Sequence, residues 1–297
     1  MAVARAARAT AALAREAWAV AVMAAVACVL AGCSAPGPRG GHAPPSFTPP
    51  PGSPPAWMLT RAALAQVMTS PAVRSGLART RVYEILNPGQ TPLAATGALP
   101  VVTFSSVTEL EQAIAGNQLP AGTRAVLYDP EAWPFTPAGE QRDPVRATRQ
   151  AMDIAHAHGL KLIVAPALNL TTVRPGPAGP RWRLFLGQGL AAALARVSDV
   201  IELQAQSLER ETGTYAAFVG AAAAQARRAN PRVTVLAGLS TNPPGAPVSS
   251  QQLTAAIRAT SGFVSGYWLN IPGRGPRCPA CNPPRPEIGR QALQETL

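Results

Sequence analysis

Two carboxylates sit two residues apart in Tyr128-Asp129-Pro130-Glu131-Ala132-Trp133, directly after a short aliphatic run. In extended chain, residues i and i+2 point the same way, so extension through Pro130 puts Asp129 and Glu131 on one side. Cleavage of a glycosidic bond needs a carboxylic acid to protonate the leaving oxygen and a carboxylate beside the reacting carbon, with aromatic faces for the sugar rings. This segment supplies both residue types. Asp129 and Glu131 are therefore candidate catalytic acids, and Tyr128 and Trp133 candidate sugar contacts. The alternative is a turn in which Asp129 caps the following residues and Glu131 is solvated.

A second acid lies in Asp199-Val200-Ile201-Glu202-Leu203-Gln204-Ala205-Gln206, where Glu202, Gln204 and Gln206 alternate with apolar residues. A strand between apolar crossovers presents three hydrogen-bonding side chains inward only if they pair with one another, with water or with a polar ligand. Glu202 is thus a third candidate catalytic acid, Gln204 and Gln206 are candidate ligand contacts, and a buried structural network is the competing reading. Ser240-Thr241-Asn242 and the run Tyr267-Trp268-Leu269-Asn270 follow or close later strands. Asn242 and Asn270 offer the paired donor and acceptor that sugar hydroxyls need, and Trp268 a stacking face.

Other chemistries lack a starting point. There is no H-E-x-x-H, G-x-S-x-G or EF-hand spacing, so no metal and no cofactor are expected. No G-x-G-x-x-G follows the first aliphatic run, where Asn87-Pro88-Gly89 reads as a turn. His156 and His158 diverge on a helix and precede Gly159, which suits a charge near a helix C-terminus better than a metal site. Cys278-Pro279-Ala280-Cys281 sits in a Pro/Gly-rich stretch. It reads as a short-loop disulfide rather than half of a zinc site, since no second Cys/His pair follows. Formal charge is +11, nearly all arginine, with Lys161 the only lysine. These charges are dispersed without interleaved aromatics, so a nucleic-acid partner is not expected.

The elements that must position these residues follow from periodicity. Aliphatic runs at Val82 to Leu86, Val101 to Phe104, Ala125 to Tyr128, Leu162 to Ala165, Val200 to Gln204, Val233 to Leu239 and Gly266 to Ile271 read as strands. Helical patterns fall at Leu59 to Leu77, Val107 to Ala115 behind a Ser106…Glu109 capping box, Pro144 to His158, Leu184 to Arg196, Tyr215 to Ala229, Ser250 to Thr260 and Pro286 to Thr296. Such alternation gives a parallel sheet. Seven strands over this length predict an α/β fold of the (β/α)8-like, TIM-type barrel class with one strand degenerate or missing from the pattern, ahead of a doubly wound open sheet. In a barrel the polar strand ends above would share one rim.

The N-terminal region carries an address. Arg5, Arg8 and Arg15 precede an apolar run from Ala17 to Leu30 that ends in Leu30-Ala31-Gly32-Cys33. The run is too short for an ordinary membrane span and reads as a cleavable signal. Residues 1–32 are assigned to that signal, residues 33–56 to a Pro-rich tether that buries too little apolar surface to fold, and residues 57–297 to one domain. Leu30 to Cys33 resembles the lipobox of bacterial lipoproteins, which implies lipidation at Cys33 and a protein anchored at the extracytoplasmic face of the cell membrane. The run Tyr128 to Trp133 with Thr136-Pro137, Glu140-Gln141 and Ala155 to Leu160, together with Glu202 to Gln206 and Tyr267 to Pro272, resembles a group of actinobacterial lipoproteins with a glycosidase-type (β/α)-barrel. The resemblance covers most of the chain from about Arg81 and implies a fold more than an activity. Chitinase-like barrels carry D-x-x-D-x-D-x-E at a strand end, of which this chain has only Asp129-Pro130-Glu131. The implied partner is a carbohydrate or cell-envelope glycan, hydrolysed by paired carboxylates; the alternative is a noncatalytic glycan-binding or protein-docking barrel.

Overall fold

The computed structural model describes residues 54–94, 96–173, 176–243, 247–275 and 283–297. Cys33, Cys278, Cys281, the signal and nearly all of the tether lie outside the described residues. Eight parallel strands close on themselves in sequence order: β1 Ala56–Thr60, β2 Val82–Leu86, β3 Leu99–Phe104, β4 Ala125–Tyr128, β5 Lys161–Val164, β6 Val200–Leu203, β7 Thr234–Ser240 and β8 Gly266–Asn270. The TIM-type barrel is therefore established. The eighth strand is β1, and it is regular rather than degenerate. It pairs with β2 at Trp57↔Val82 and with β8 at Trp57↔Tyr267.

The helices between strands are α1 Arg61–Val67, α2 Pro71–Leu77, α3 Val107–Ala115, α4 Ala138–Arg142, α5 Pro144–Ala157, α6 Arg181–Gly187, α7 Leu190–Ala195, α8 Thr212–Ala229, α9 Ser250–Thr260 and α10 Pro286–Thr296. Two predicted helices divide. Leu59 to Leu77 becomes the end of β1 and then α1 and α2, because Thr60 and Ser70 each cap a new helix and Pro71 fits a first turn. Leu184 to Arg196 breaks at Gly189, whose φ of 64° ends α6 before α7 begins. At α3, Ser106 accepts from the Glu109 N–H at 3.1 Å, while Glu109 reaches the N–H of Ser105, one residue beyond the box position.

Period-two alternation sorts the strand residues into two cores. Outward side chains such as Trp57, Leu86, Tyr128, Ile201 and Tyr267 pack under the helices. Inward ones, including Met58, Tyr83, Ile85, Leu127, Ile163, Val200 and Leu236, fill the cylinder. Closure at β1 and β8 is covered by Trp57 against Tyr267, with ring centroids 5.5 Å apart. The Tyr267 hydroxyl donates to the Ile257 carbonyl at 2.8 Å, which ties that seam to α9.

At the end where strands begin, one residue joins three strands through its carboxylate and its backbone. Asp199 accepts from Lys161 Nζ at 2.8 Å, His156 Nε2 at 2.8 Å and the Leu162 N–H at 2.9 Å, and its own carbonyl accepts from the Thr234 N–H. Burial opposes ionisation here, but the hydrogen bonds from Lys161, His156 and Leu162 outweigh it and hold the carboxyl below its ordinary range. His156 thus serves this cluster, and His158 bonds the Ile154 carbonyl at 2.9 Å. Because the carboxyl is held low, its stabilisation is present above the ordinary Asp range and is lost as pH falls through the lowered folded value. The expected outcome for Asp199→Ala is a loss of about 1–3 kcal/mol in urea unfolding at pH 7, shrinking at strongly acid pH. An unchanged midpoint would show the cluster to be ornamental.

Candidate functional site

The strand ends at the opposite face open into a single cavity of about 830 Å³. Asp129 and Glu131 line it together. Backbone pairing continues past β4, with the Asp129 N–H on the Phe104 carbonyl at 2.9 Å and the Ala167 N–H on the Pro130 carbonyl at 3.1 Å. The extension through Pro130 therefore persists, and the two acids share a wall as the alternation requires. The same parity excludes Tyr128. Its ring is buried on the outer face of β4 and its hydroxyl donates to Glu140 Oε2 at 2.8 Å. Tyr128 is not a sugar contact: a residue adjacent to Asp129 on a strand faces the other way. Burial and the neighbouring Glu140 carboxylate keep its phenol protonated.

The segment carrying the acids is braced from three sides. Thr136 Oγ1 donates to the Ser105 carbonyl at 3.0 Å and accepts from the Glu131 N–H at 3.2 Å and Trp133 Nε1 at 2.8 Å. Gln141 Nε2 donates to the carbonyls of Trp133 and Thr136, and Asn169 Oδ1 accepts from the Ala132 N–H at 2.8 Å. Glu140 accepts from the N–H of Val107 at the start of α3. Trp133 is thereby held as a wall of the cavity, with Phe135 edge-on to it at 5.1 Å. Groups fixed this way need little reordering when a ligand arrives.

Gln204, Gln206, Asn242, Trp268 and Asn270 also line the cavity. Gln204 Nε2 donates to Asp129 Oδ1 at 2.6 Å and to the Ala165 carbonyl at 2.8 Å, crossing from β6 to β4 to fix the carboxylate. Asn242 is held by a bond from its N–H to Ser240 Oγ at 3.2 Å.

Glu202 points inward as predicted, but it is not on the cavity wall. It is fully buried, one inward position below Gln204, and both carboxyl oxygens lack a hydrogen-bond partner among the described residues. Space for it comes from Gly238: a Cβ there would lie 2.5 Å from Glu202 Oε1 and 2.6 Å from Gln206 Nε2. A mid-strand glycine thus marks a close approach. Burial, and secondarily the Asp129 charge, push the Glu202 carboxyl well above its ordinary range. In this arrangement it lies under the floor rather than in direct reach of a ligand.

Several cavity residues lie beyond the strand-end segments singled out from sequence. Thr60, Asn87 and Thr103 line the β1–β3 side, and Asn169, Arg181 and Trp182 come from the chain after β5. Asn169 lies in a short 3-10 helix, Leu168–Thr172, and Arg181 and Trp182 open an α-helix, so none of the three carries a strand-end signature. Glu209 was also invisible, because it lies in a loop with no periodicity. It is fully buried, its Oε1 accepts from the Ser240 N–H at 2.9 Å, and burial raises its carboxyl to about 7 against the backbone N–H groups of Glu209, Ser240 and Ser207. Among the described residues no three His, Cys, Asp or Glu side chains converge on a common metal position.

No protein-family model matches the chain, and no curated protein matches it in sequence. Solved structures that share its overall arrangement include the PgaB (BpsB) glycoside hydrolase domain from Bordetella bronchiseptica, at 10% identity over 81% of this chain and 98% of that one with a TM-score of 0.45. A GH128 curdlan-specific exo-beta-1,3-glucanase from Blastomyces gilchristii aligns at 13% identity over 74% and 90% with a TM-score of 0.44. Triosephosphate isomerase from Bartonella henselae aligns at 12% identity over 73% and 92% with a TM-score of 0.41. The chemistry of the cavity therefore rests on its own residues.

Glu209 gives a pH signature. With a folded value near 7 and an unfolded value in the ordinary carboxylate range, the folded state binds more protons between the two, so stability falls as pH rises through that window. Glu209→Gln, neutral at every pH, is expected to lose less stability than the parent between pH 5 and pH 8 in parallel urea titrations. Identical pH slopes would contradict this placement of Glu209.

Proposed function

We propose that this barrel binds a carbohydrate in its strand-end cavity and hydrolyses a glycosidic bond there. The observation that carries the reading is the convergence of Asp129 and Glu131 with Trp133, Trp182 and Trp268 in one cavity, interspersed with the amides of Asn87, Gln204 and Asn242. Flat aromatic faces match the apolar faces of sugar rings, and amides supply donor and acceptor together for hydroxyl groups. Glu131, half-buried on the wall, gives its proton to the leaving glycosidic oxygen. Asp129, fixed by Gln204, takes a proton from the water that attacks the anomeric carbon as the old C–O bond breaks. The step leaves Glu131 ionised and Asp129 protonated, and proton exchange with solvent restores both. Glu202 stands below this exchange as a neutral carboxyl that limits how far Asp129 is repelled.

A second reading is favoured by one specific feature. Asp129 already accepts a 2.6 Å bond from Gln204, and Glu202 is sealed from the cavity, as suits a noncatalytic glycan-binding barrel. The two readings separate on turnover. The hydrolytic reading predicts that Glu131→Gln lowers glycan cleavage by about 10²–10⁴-fold while leaving affinity within a few-fold, as loss of a general acid does. Saturable binding without turnover in the parent protein would establish the second reading instead.

The setting proposed is the extracytoplasmic face of a cell membrane, with Cys33 carrying the lipid. Leu30 to Cys33 and the Pro-rich stretch that follows support this. Among the described residues no helix is long and apolar enough to cross a membrane. In the producing cell, Cys33→Ser is expected to shift the full chain from the membrane pellet to the soluble fraction. A parent protein already soluble in the same fractionation would refute the anchor.

A further inference from the structure

The cavity carries one positive charge among its described lining residues, Arg181. Its place in the cavity wall distinguishes it from the other exposed arginines. Ion pairs among the described residues include Arg146–Asp143, His156–Asp199, Lys161–Asp199 and Arg285–Glu287, and Arg181 takes part in none of these. Among the described residues it has no side-chain hydrogen-bond partner either, although Asp129 and Glu131 line the same cavity. A guanidinium stays charged at any physiological pH and presents a rigid planar fork of donors. Left unpaired in a cavity wall, that fork is available to a ligand.

The element that presents Arg181 is packed, not loose. Phe185 of α6 is fully buried, edge-on to Phe218 of α8 at 5.8 Å. Gln225 Nε2 donates to the Leu186 carbonyl at 3.0 Å, and Gln188 Nε2 to the Thr171 carbonyl at 3.3 Å. Trp182, the next residue, is also in the cavity wall and is covered by the Arg183 guanidinium at 5.0 Å from its ring centroid. A stacking surface and an unpaired cation thus stand side by side on a fixed helix.

We propose that the cavity takes a glycan bearing a carboxylate, a uronic-acid type of sugar, with Arg181 as the anchor of that carboxylate and Trp182 beneath its ring. The proposal rests on the reading of the cavity as a carbohydrate site and adds the class of sugar. A carboxylate fits better than a phosphate for two reasons. Its two coplanar oxygens match one guanidinium fork in a bidentate pair. A phosphate dianion calls for several cations or a nest of backbone N–H groups, and here it would meet one cation and the Asp129 carboxylate. The same repulsion makes Arg181 set register: the acidic sugar is held away from Asp129, which leaves Asp129 and Glu131 facing the neighbouring linkage.

The test is calorimetric titration of the purified full-length protein with matched pairs of oligosaccharides, each in its free-acid and methyl-ester form. Galacturonate, glucuronate and mannuronate oligomers form the acid set, and neutral gluco- and N-acetylglucosamine oligomers a third set. Arg181→Ala, Arg181→Gln and Arg181→Lys are run beside the parent, with near-ultraviolet circular dichroism to check the fold. The expected result is at least one acid bound about tenfold more tightly than its ester, the preference falling to about twofold or less in the Ala and Gln variants. Arg181→Lys is expected to keep part of it, since it retains the charge without the fork. Equal affinity for acid and ester in the parent, or a preference that survives Arg181→Ala, overturns the proposal. Binding of neutral or esterified glycans alone overturns it while leaving the carbohydrate reading standing. Binding of no member of any set overturns both.

Discussion

A closed cylinder of eight strands must fill its own interior, and every other residue on every strand is committed to that task. At the end where strands begin, the filling is apolar: Met58, Tyr83, Ile163, Val200 and Leu236 pack against one another. At the other end the inward positions become Thr60, Thr103, Asp129, Gln204, Ser240 and Asn270. These shorter polar side chains, with Ile85 and Trp268 beside them, leave that end open, so the interior continues into a cavity. The site is thus a consequence of where the inward rows change character, not an addition to the fold.

Glu202 marks the change. It occupies an inward position with apolar residues below and amides above, and the absence of a side chain at Gly238 makes room for its carboxyl. Desolvation, with the Asp129 charge above it, raises its carboxyl well above the ordinary range. Gln204 completes the arrangement by binding Asp129 and the Ala165 carbonyl at once. On the neighbouring side, Thr136 and Gln141 hold the Glu131 to Trp133 segment against β3. These polar contacts are local to the cavity end, whereas Asp199 with Lys161 and His156 joins strands at the far end.

Seven of the eight strands were legible because each is a short aliphatic run bounded by turn residues. β1 was not, since Ala56 to Thr60 follows a proline stretch and runs straight into an alanine-rich helix, and with nearly every residue buried on both faces it shows no alternation. The acids Asp129 and Glu131 could be found by parity, and the same parity, applied to Tyr128, would have sent that ring outward. Glu202 was legible in direction but not in depth, since sequence spacing does not reveal how far below the rim an inward residue lies. Asn87 hid in an Asn-Pro-Gly turn, and Arg181 and Trp182 hid at the start of a helix. Glu209 had no pattern at all: only burial and the bond from Ser240 bring it into view.

The most direct test of the account is a crystal structure of the protein with an oligosaccharide bound. Sugar rings are expected to sit on Trp268 and Trp133, with Glu131 within hydrogen-bond distance of a glycosidic oxygen and Asp129 still held by Gln204. A glycan bound elsewhere on the barrel, or one in the cavity that touches neither carboxylate, would contradict it.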